Sequence, residues 1–360
     1  MTSLFEPLAF LHGPTLANRF VLAPLTNQQS HPDGTLSEEE FIWLTRRAQG
    51  GFGLTMTCAA HVQRVGQGFP GQLGVFSDAH LPGLTRLAAA IRAEGSVAAL
   101  QLHHAGMRSP QALIGEAPLC PSDDEKTGAR AMTEAEVEQL IEDFIAAAQR
   151  AQKAGFQSVE VHGAHGYIVC QFLSSEINQR TDRFGGSLEN RARVVFSIVR
   201  GIRERCGPDM LLGLRLSPER FGMKLDEVRE VAQTLMREEA IDYLDMSLWD
   251  VRKEPTDEAF KGRSLMSYFT DLERGAVRLG VAGKVSTAAE AQYCLDAGVD
   301  FVLLGKGAIL HADFPEQARA NARFEQAPLP VSADYLSAQG LSDPFVTYMK
   351  GAFAGFVAAE

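Results

Sequence analysis

His162-Gly163-Ala164-His165-Gly166-Tyr167 places two imidazoles and a phenol on six consecutive positions, directly after the apolar run that ends at Val161. Neutral imidazoles offer N–H donors to a carbonyl oxygen on which negative charge builds. A phenol, with an unperturbed pKa of about 10, keeps a proton to give at neutral pH. The set suits chemistry in which an oxygen becomes anionic while a carbon is protonated. Two hydrogen-bonded histidines and a core tyrosine at a strand end are the plainer explanation, and the hexapeptide alone favours it.

The elements that must position these groups repeat along the chain. Short apolar, β-branched runs at 20–23, 54–57, 97–102, 158–161, 211–216, 243–246, 280–285 and 301–304 predict strands. Amphipathic stretches at 37–49, 79–94, 133–154, 189–205, 225–239, 268–279, 287–297 and 314–324 predict helices. Thr133 before Glu134 and Glu136, and Ser187 before Glu189, are N-cap signatures; Gly155 and Gly298 suit helix ends. Strands and helices alternating without a linker predict an α/β fold, a closed (β/α)8 TIM barrel forming one domain over 1–360. Residues 8–16 read as an N-terminal hairpin plugging the barrel bottom. The long polar span 103–132 reads as a lid. The tail 328–360 carries Phe345, Tyr348, Phe353 and Phe356 and is too apolar to be free, so it packs on the barrel or on a neighbouring subunit of a homo-oligomer.

Active sites of such barrels lie at the carboxyl ends of the strands. The exits carry Ala23-Pro24-Leu25-Thr26, then Cys58-Ala59, Gln101, the histidine–tyrosine group, Arg215, Gly283-Lys284 and Gly305-Lys306. Arg215, in an otherwise apolar strand, needs an anionic or strongly accepting partner, and a structural carboxylate is the ordinary one. Gly-Lys pairs after strands seven and eight match a phosphate cradle of bare amides plus a cation. The same lysines suit Schiff-base chemistry in an aldolase-type barrel almost equally well.

Composition narrows the class. The 360 residues are 45% hydrophobic and 22% charged, with a net charge of −11, which argues against nucleic-acid and anionic-membrane surfaces. No run is long enough to span a bilayer, and the first residues lack a signal-peptide pattern. Five dispersed cysteines fit reduced thiols, so a cytoplasmic setting is expected. Gly66–Gly71 matches GxGxxG in letters only: it contains Pro70 and opens no helix, so it reads as a loop. His162, His165 and His104 lack a carboxylate or HExxH companion, so no metal centre is expected.

At this point the sequence resembles the old yellow enzyme family of flavin-dependent ene reductases. The resemblance rests on 16–26 (LANRFVLAPLT), 50–54 (GGFGL), 101–106 (QLHHAG), the HGAHGY hexapeptide and, above all, 178–191 (NQRTDRFGGSLENR). It implies FMN across the barrel mouth, NADPH or NADH as reductant, and activated alkenes and phenolic compounds as ligands. Carried over residue by residue, Ala23, Pro24 and Leu25 would back the flavin ring and Thr26 would hydrogen-bond it. Ala59 would touch it through its main chain, and Gln101 and Arg215 would read its pyrimidine edge. Gly283, Gly305 and Lys306 would hold the phosphate. His162 and His165 would bind the activating oxygen of the alkene, and Tyr167 would donate the proton. Three positions depart from relatives: Met107 replaces a common basic residue although Arg108 follows, Gln28 replaces a subgroup's tyrosine, and no arginine follows Arg323. A flavin-free lyase using Lys284 or Lys306, and a flavoprotein that binds phenols without turnover, are the competing readings.

Overall fold

A computed structural model describes residues 3–359. Eight parallel strands close into a barrel: Phe20–Leu22, Leu54–His61, Val97–His103, Ser158–Gly163, Leu211–Leu216, Tyr243–Ser247, Arg278–Ala282 and Phe301–Leu304. Each strand pairs with its sequence neighbours, and the first closes the ring against the eighth with Phe20 opposite Val302. Both faces of such strands are buried, which is why they are nearly continuous apolar runs.

Side chains alternate inward and outward along each strand. The inward residues of the lower barrel are apolar: Val21, Leu54, Val97, Ala99, Leu211, Tyr243 and Phe301 form one cluster with Leu8 and Leu16. The N-terminal hairpin supplies those last two, joined by Leu8 N to Leu16 O at 3.0 Å and Leu16 N to Leu8 O at 2.9 Å. It plugs the barrel bottom, as its apolar spacing predicts. Further up, the same parity gives Gln101 and His103, Glu160 and His162, Arg215, and Asp245 and Ser247, all buried. The barrel interior is oil below and polar above.

The caps predicted at Thr133 and Ser187 form, and Ser37 adds a further one. Ser37 accepts from Glu40 N ahead of the helix Glu38–Gln49, Thr133 and Glu136 make a reciprocal box ahead of Glu134–Lys153, and Ser187 caps Leu188–Cys206. One expected helix is wrong. Of 268–279 only the first three residues are helical, in the short helix Ser267–Thr270, because Gly275 turns left-handed at φ 56° and Arg278 already belongs to the seventh strand. The apolar spacing of Phe269, Val277 and Leu279 imitates a helix while serving a turn and a strand. The second strand runs on to His61, with a register shift between Met56 and Ala59.

Residues 103–132 leave the third strand at its upper end. His103 is the last residue of the third strand; beyond it come Gln111–Ile114 and a pairing of Leu119–Cys120 with Arg130–Ala131. The tail packs on its own barrel through Ala333–Ala338 and Asp343–Ala352. Phe345 is fully buried edge-on against Trp43 at 4.8 Å. Among the described residues no helix is long and apolar enough to cross a membrane.

Candidate active site

The fourth strand delivers His162 inward, and the chain then reverses sharply. His165 and Gly166 are both left-handed, with φ of 60° and 70°. A Cβ on Gly166 would come within 2.9 Å of the Phe221 ring, so glycine is required there on two counts. The reversal starts the helix Ile168–Leu173, which the sequence reading missed, and makes Tyr167 its N-cap. Three rings thereby converge: His162 lies 5.1 Å from both His165 and Tyr167, and His165 lies 6.5 Å from Tyr167.

The hydrogen bonds fix the tautomers. Ala164 N donates to His162 Nδ1 at 3.4 Å, so the His162 proton sits on Nε2. That Nε2 is 3.3 Å from His165 Nδ1, which therefore accepts, and His165 Nε2 donates to Ser247 Oγ at 2.7 Å. Burial pushes the pKa of His162 well below its ordinary value. Burial, helped by Arg215 and Arg108, lowers that of His165 to about 3. Both imidazoles are neutral donors across the physiological range, the state that oxyanion chemistry needs.

Two neighbours had no site role in the sequence reading. Arg108 donates to the His165 carbonyl at 2.5 Å, and its guanidinium lies 4.7 Å from the Tyr167 ring. His103 packs edge-to-face on Tyr167 at 4.4 Å, while its Nδ1 accepts from Gln72 Nε2 at 3.0 Å. The signal for His103 was its parity with Gln101, two residues earlier on the same strand. Gln72 also donates to the Ala59 carbonyl at 2.7 Å.

Arg215 has the carboxylate its burial demands. Its Nε is 3.1 Å from Oδ2 of Asp245 on the next strand. The angle is not that of a hydrogen bond, so Arg215 Nε and both Asp245 oxygens lack hydrogen-bond partners among the described residues. Gln101 donates through Nε2 to Glu160 Oε1 at 2.8 Å, turning its carbonyl end away from that carboxyl. Burial raises the pKa of both carboxyls; the charge of Asp245 adds to the effect on Glu160, and Arg215 opposes it on each.

Around the rim, Ala23 is buried while Pro24, Leu25, Thr26 and Ala59 are half-buried. The tail reaches in, bringing Tyr348 beside Thr26. The two Gly-Lys pairs differ. Lys284 is tied to Asp250 at 3.1 Å. Gly283 is obligatory, since a Cβ would meet Asp250 N at 2.7 Å. Lys306, beside Gly305, is exposed, with Nζ 4.8 Å from the Phe353 ring centre. Non-glycine residues with left-handed backbone cluster on this rim: Gln28, His165, Arg220, Phe221, Trp249 and Lys284 all follow strand exits. Such strain collects at functional sites.

The donor set suits a flavin. A buried guanidinium with an unpartnered Nε, an oriented amide and a half-buried threonine hydroxyl surround the mouth. A polar heterocycle needs such an edge, and the apolar Pro24 and Leu25 suit its face. Among the described residues no group of three or more histidines, cysteines and carboxylates could hold a metal ion.

The comparisons agree with this chemistry. The profile of the NADH:flavin oxidoreductase / NADH oxidase family matches residues 3–325. A probable NADH-dependent flavin oxidoreductase of Bacillus subtilis is 38% identical over 314 residues, covering 84% of each chain. An NADH:acrylate oxidoreductase of Vibrio harveyi is 32% identical over 336 residues; the match takes in 88% of this chain but only 33% of that longer protein. Morphinone reductase bound to tetrahydroNAD superimposes with a TM-score of 0.79 at 30% identity, covering 95% of this chain and 97% of that one. With its barrel, its rim chemistry and these relatives in agreement, the chain belongs to the NADH:flavin oxidoreductase family of old yellow enzymes, FMN-dependent oxidoreductases that draw electrons from NADH or NADPH.

Proposed function

We propose that the chain is an ene reductase acting on alkenes conjugated to a carbonyl or nitro group. The observation that carries this reading is the convergence of Tyr167 on the neutral His162–His165 couple at the barrel mouth. In the proposal FMN supplies the hydride. Ala23, Pro24, Leu25, Thr26, Ala59, Gln101 and Arg215 hold its ring, and Gly283, Gly305 and Lys306 hold its phosphate. His162 Nε2–H turns from His165 to the activating oxygen of the alkene, and His165 contributes the second donor by turning its Nε2–H from Ser247. Tyr167 gives its proton to the α-carbon, and phenolic ligands occupy the same donors as the substrate oxygen. A relative named for acrylate supports the substrate class, since acrylate is itself a conjugated alkene. The lyase reading gains nothing from the geometry: Lys284 is paired and Lys306 is exposed, whereas Schiff-base lysines are desolvated.

The test is anaerobic reduction by NADH or NADPH followed by cyclohexenone. Reoxidation with formation of the saturated ketone is expected. A Tyr167→Phe variant should keep the phenol-induced spectral shift and lose most alkene turnover. Unchanged turnover would remove Tyr167 from the role.

A further inference from the structure

Beneath the rim the barrel holds a charged group whose balance does not close. Glu160, Asp245 and Arg215 are all buried on the inner faces of three successive strands. The other inward groups facing them are neutral: Gln101 from the third strand, Ser158 and His162 below and above Glu160, and Tyr243 from the sixth. Gly280 and Phe301 on the seventh and eighth strands carry no charge. Two carboxylates and one guanidinium would leave a net negative charge sealed from water, and holding a proton costs less.

The geometry assigns that proton. Asp245 sits 3.1 Å from the guanidinium and is the ionised partner. Glu160 has only the Gln101 amide at 2.8 Å, and its Oε2 has no hydrogen-bond partner among the described residues. We propose that Glu160 is a proton-carrying positioning residue: protonated at neutral pH, it orients Gln101 and keeps the interior beneath the flavin edge free of net negative charge. Burial and the neighbouring Asp245 charge push its pKa in the same sense.

A consequence follows for reduction of the holoenzyme. Bound FMN would take up two electrons and one proton as hydride from the nicotinamide, and Arg215 would offset the negative charge that this adds. Where Glu160 is ionised beforehand, that charge draws a second proton from water onto its carboxylate. One proton per two electrons moves the midpoint about 30 mV per pH unit, and two protons move it about 60 mV. Spectroelectrochemical titration of the purified holoenzyme against pH should give the smaller slope near neutrality. The slope should steepen above about pH 8 in the wild type. Glu160→Gln should hold the smaller slope throughout; the same slope for both proteins above about pH 8 overturns the proposal. If Glu160→Gln does not fold, infrared spectra of wild-type holoenzyme with and without 13C-labelled glutamate replace it. A label-shifted carboxylic acid band at neutral pH that remains in a Glu40→Gln background is expected, Glu40 being another buried glutamate with a raised pKa, and its loss there overturns the assignment. No alkene enters either measurement, so their outcome is separate from the ene-reductase reading.

Discussion

Arg108 bonds the main-chain oxygen of His165 while its guanidinium covers the Tyr167 ring, so one exposed side chain ties the oxyanion donor to the proton donor. The backbone it holds is strained: His165 is left-handed, and its N–H is taken by Ser217 Oγ at 3.0 Å. Left-handed non-glycine residues cost roughly 1–3 kcal/mol and persist where neighbours over-determine them. Removing one of two anchors should loosen the donor geometry more than the fold. Arg108→Met is expected to weaken phenol binding by about tenfold, roughly 1.4 kcal/mol, with little change in unfolding midpoint. Spectral titration with a phenol reads the first and urea denaturation the second; unchanged affinity would make Arg108 a bystander.

Stability should fall steeply on mild acidification. Burial holds His61 at about 4, His104 and His165 at about 3, and His103 and His162 well below the ordinary value. An unfolded chain protonates all five near pH 6.5, while the folded one does not. Their contribution is complete above pH about 6.5 and drains away as pH drops toward the folded values. Glu40, Glu160 and Asp245 act oppositely, because their folded pKa values are raised and the native state takes up protons there before the unfolded chain does. The histidines outnumber the carboxyls, so unfolding near pH 5 takes up protons on balance and stability falls with pH. Urea unfolding at several pH values between neutrality and pH about 5 measures the slope. A flat profile would mean the histidines are not buried as neutral groups.

Much of this was legible in the residues, for identifiable reasons. The barrel showed itself because parallel strands buried on both faces are continuous apolar runs and their helices carry caps such as Thr133 and Ser187. The catalytic candidates were visible because His162, His165 and Tyr167 are adjacent in sequence, and Arg215 because a charge in an apolar strand demands a partner. Its partner Asp245 and the Gln101 partner Glu160 carried the same signal, each a lone acid between apolar neighbours at inward parity, and it went unread. Arg108 and Tyr348 could not be read this way. Their positions depend on how a rim segment and a tail fold back over the barrel, and no local pattern encodes that.

Gly213 tests how tightly the barrel interior is packed under the polar layer. A Cβ there would lie 2.0 Å from Cζ of Tyr243. That ring cannot retreat, being fully buried and edge-on to Phe301 at 5.6 Å. Gly213→Ala should therefore cost roughly 1–3 kcal/mol through overpacking, read as a lower urea midpoint. Adding Tyr243→Leu should recover part of the loss by vacating the volume. No recovery would place the strain in the backbone instead of the ring.

The tail offers the last prediction, because its anchor can be removed without touching the rim. Phe345 packs on Trp43 with both fully buried, and Ser342 Oγ donates to Gln29 Oε1 at 2.6 Å beside them. Truncating a buried phenylalanine costs about 3–5 kcal/mol when the surroundings cannot respond. Here they can: the two tail helices can lift as a unit, so the loss appears as local undocking wherever that is cheaper than opening the barrel. The chain has two tryptophans, and Trp249 is already 47% exposed, so a red shift in emission reports Trp43 alone. Phe345→Ala should shift that emission and speed proteolysis between the barrel and the tail helices, while the main unfolding transition moves little. A large drop in that transition without the emission change would show instead that tail and barrel unfold as a single cooperative unit.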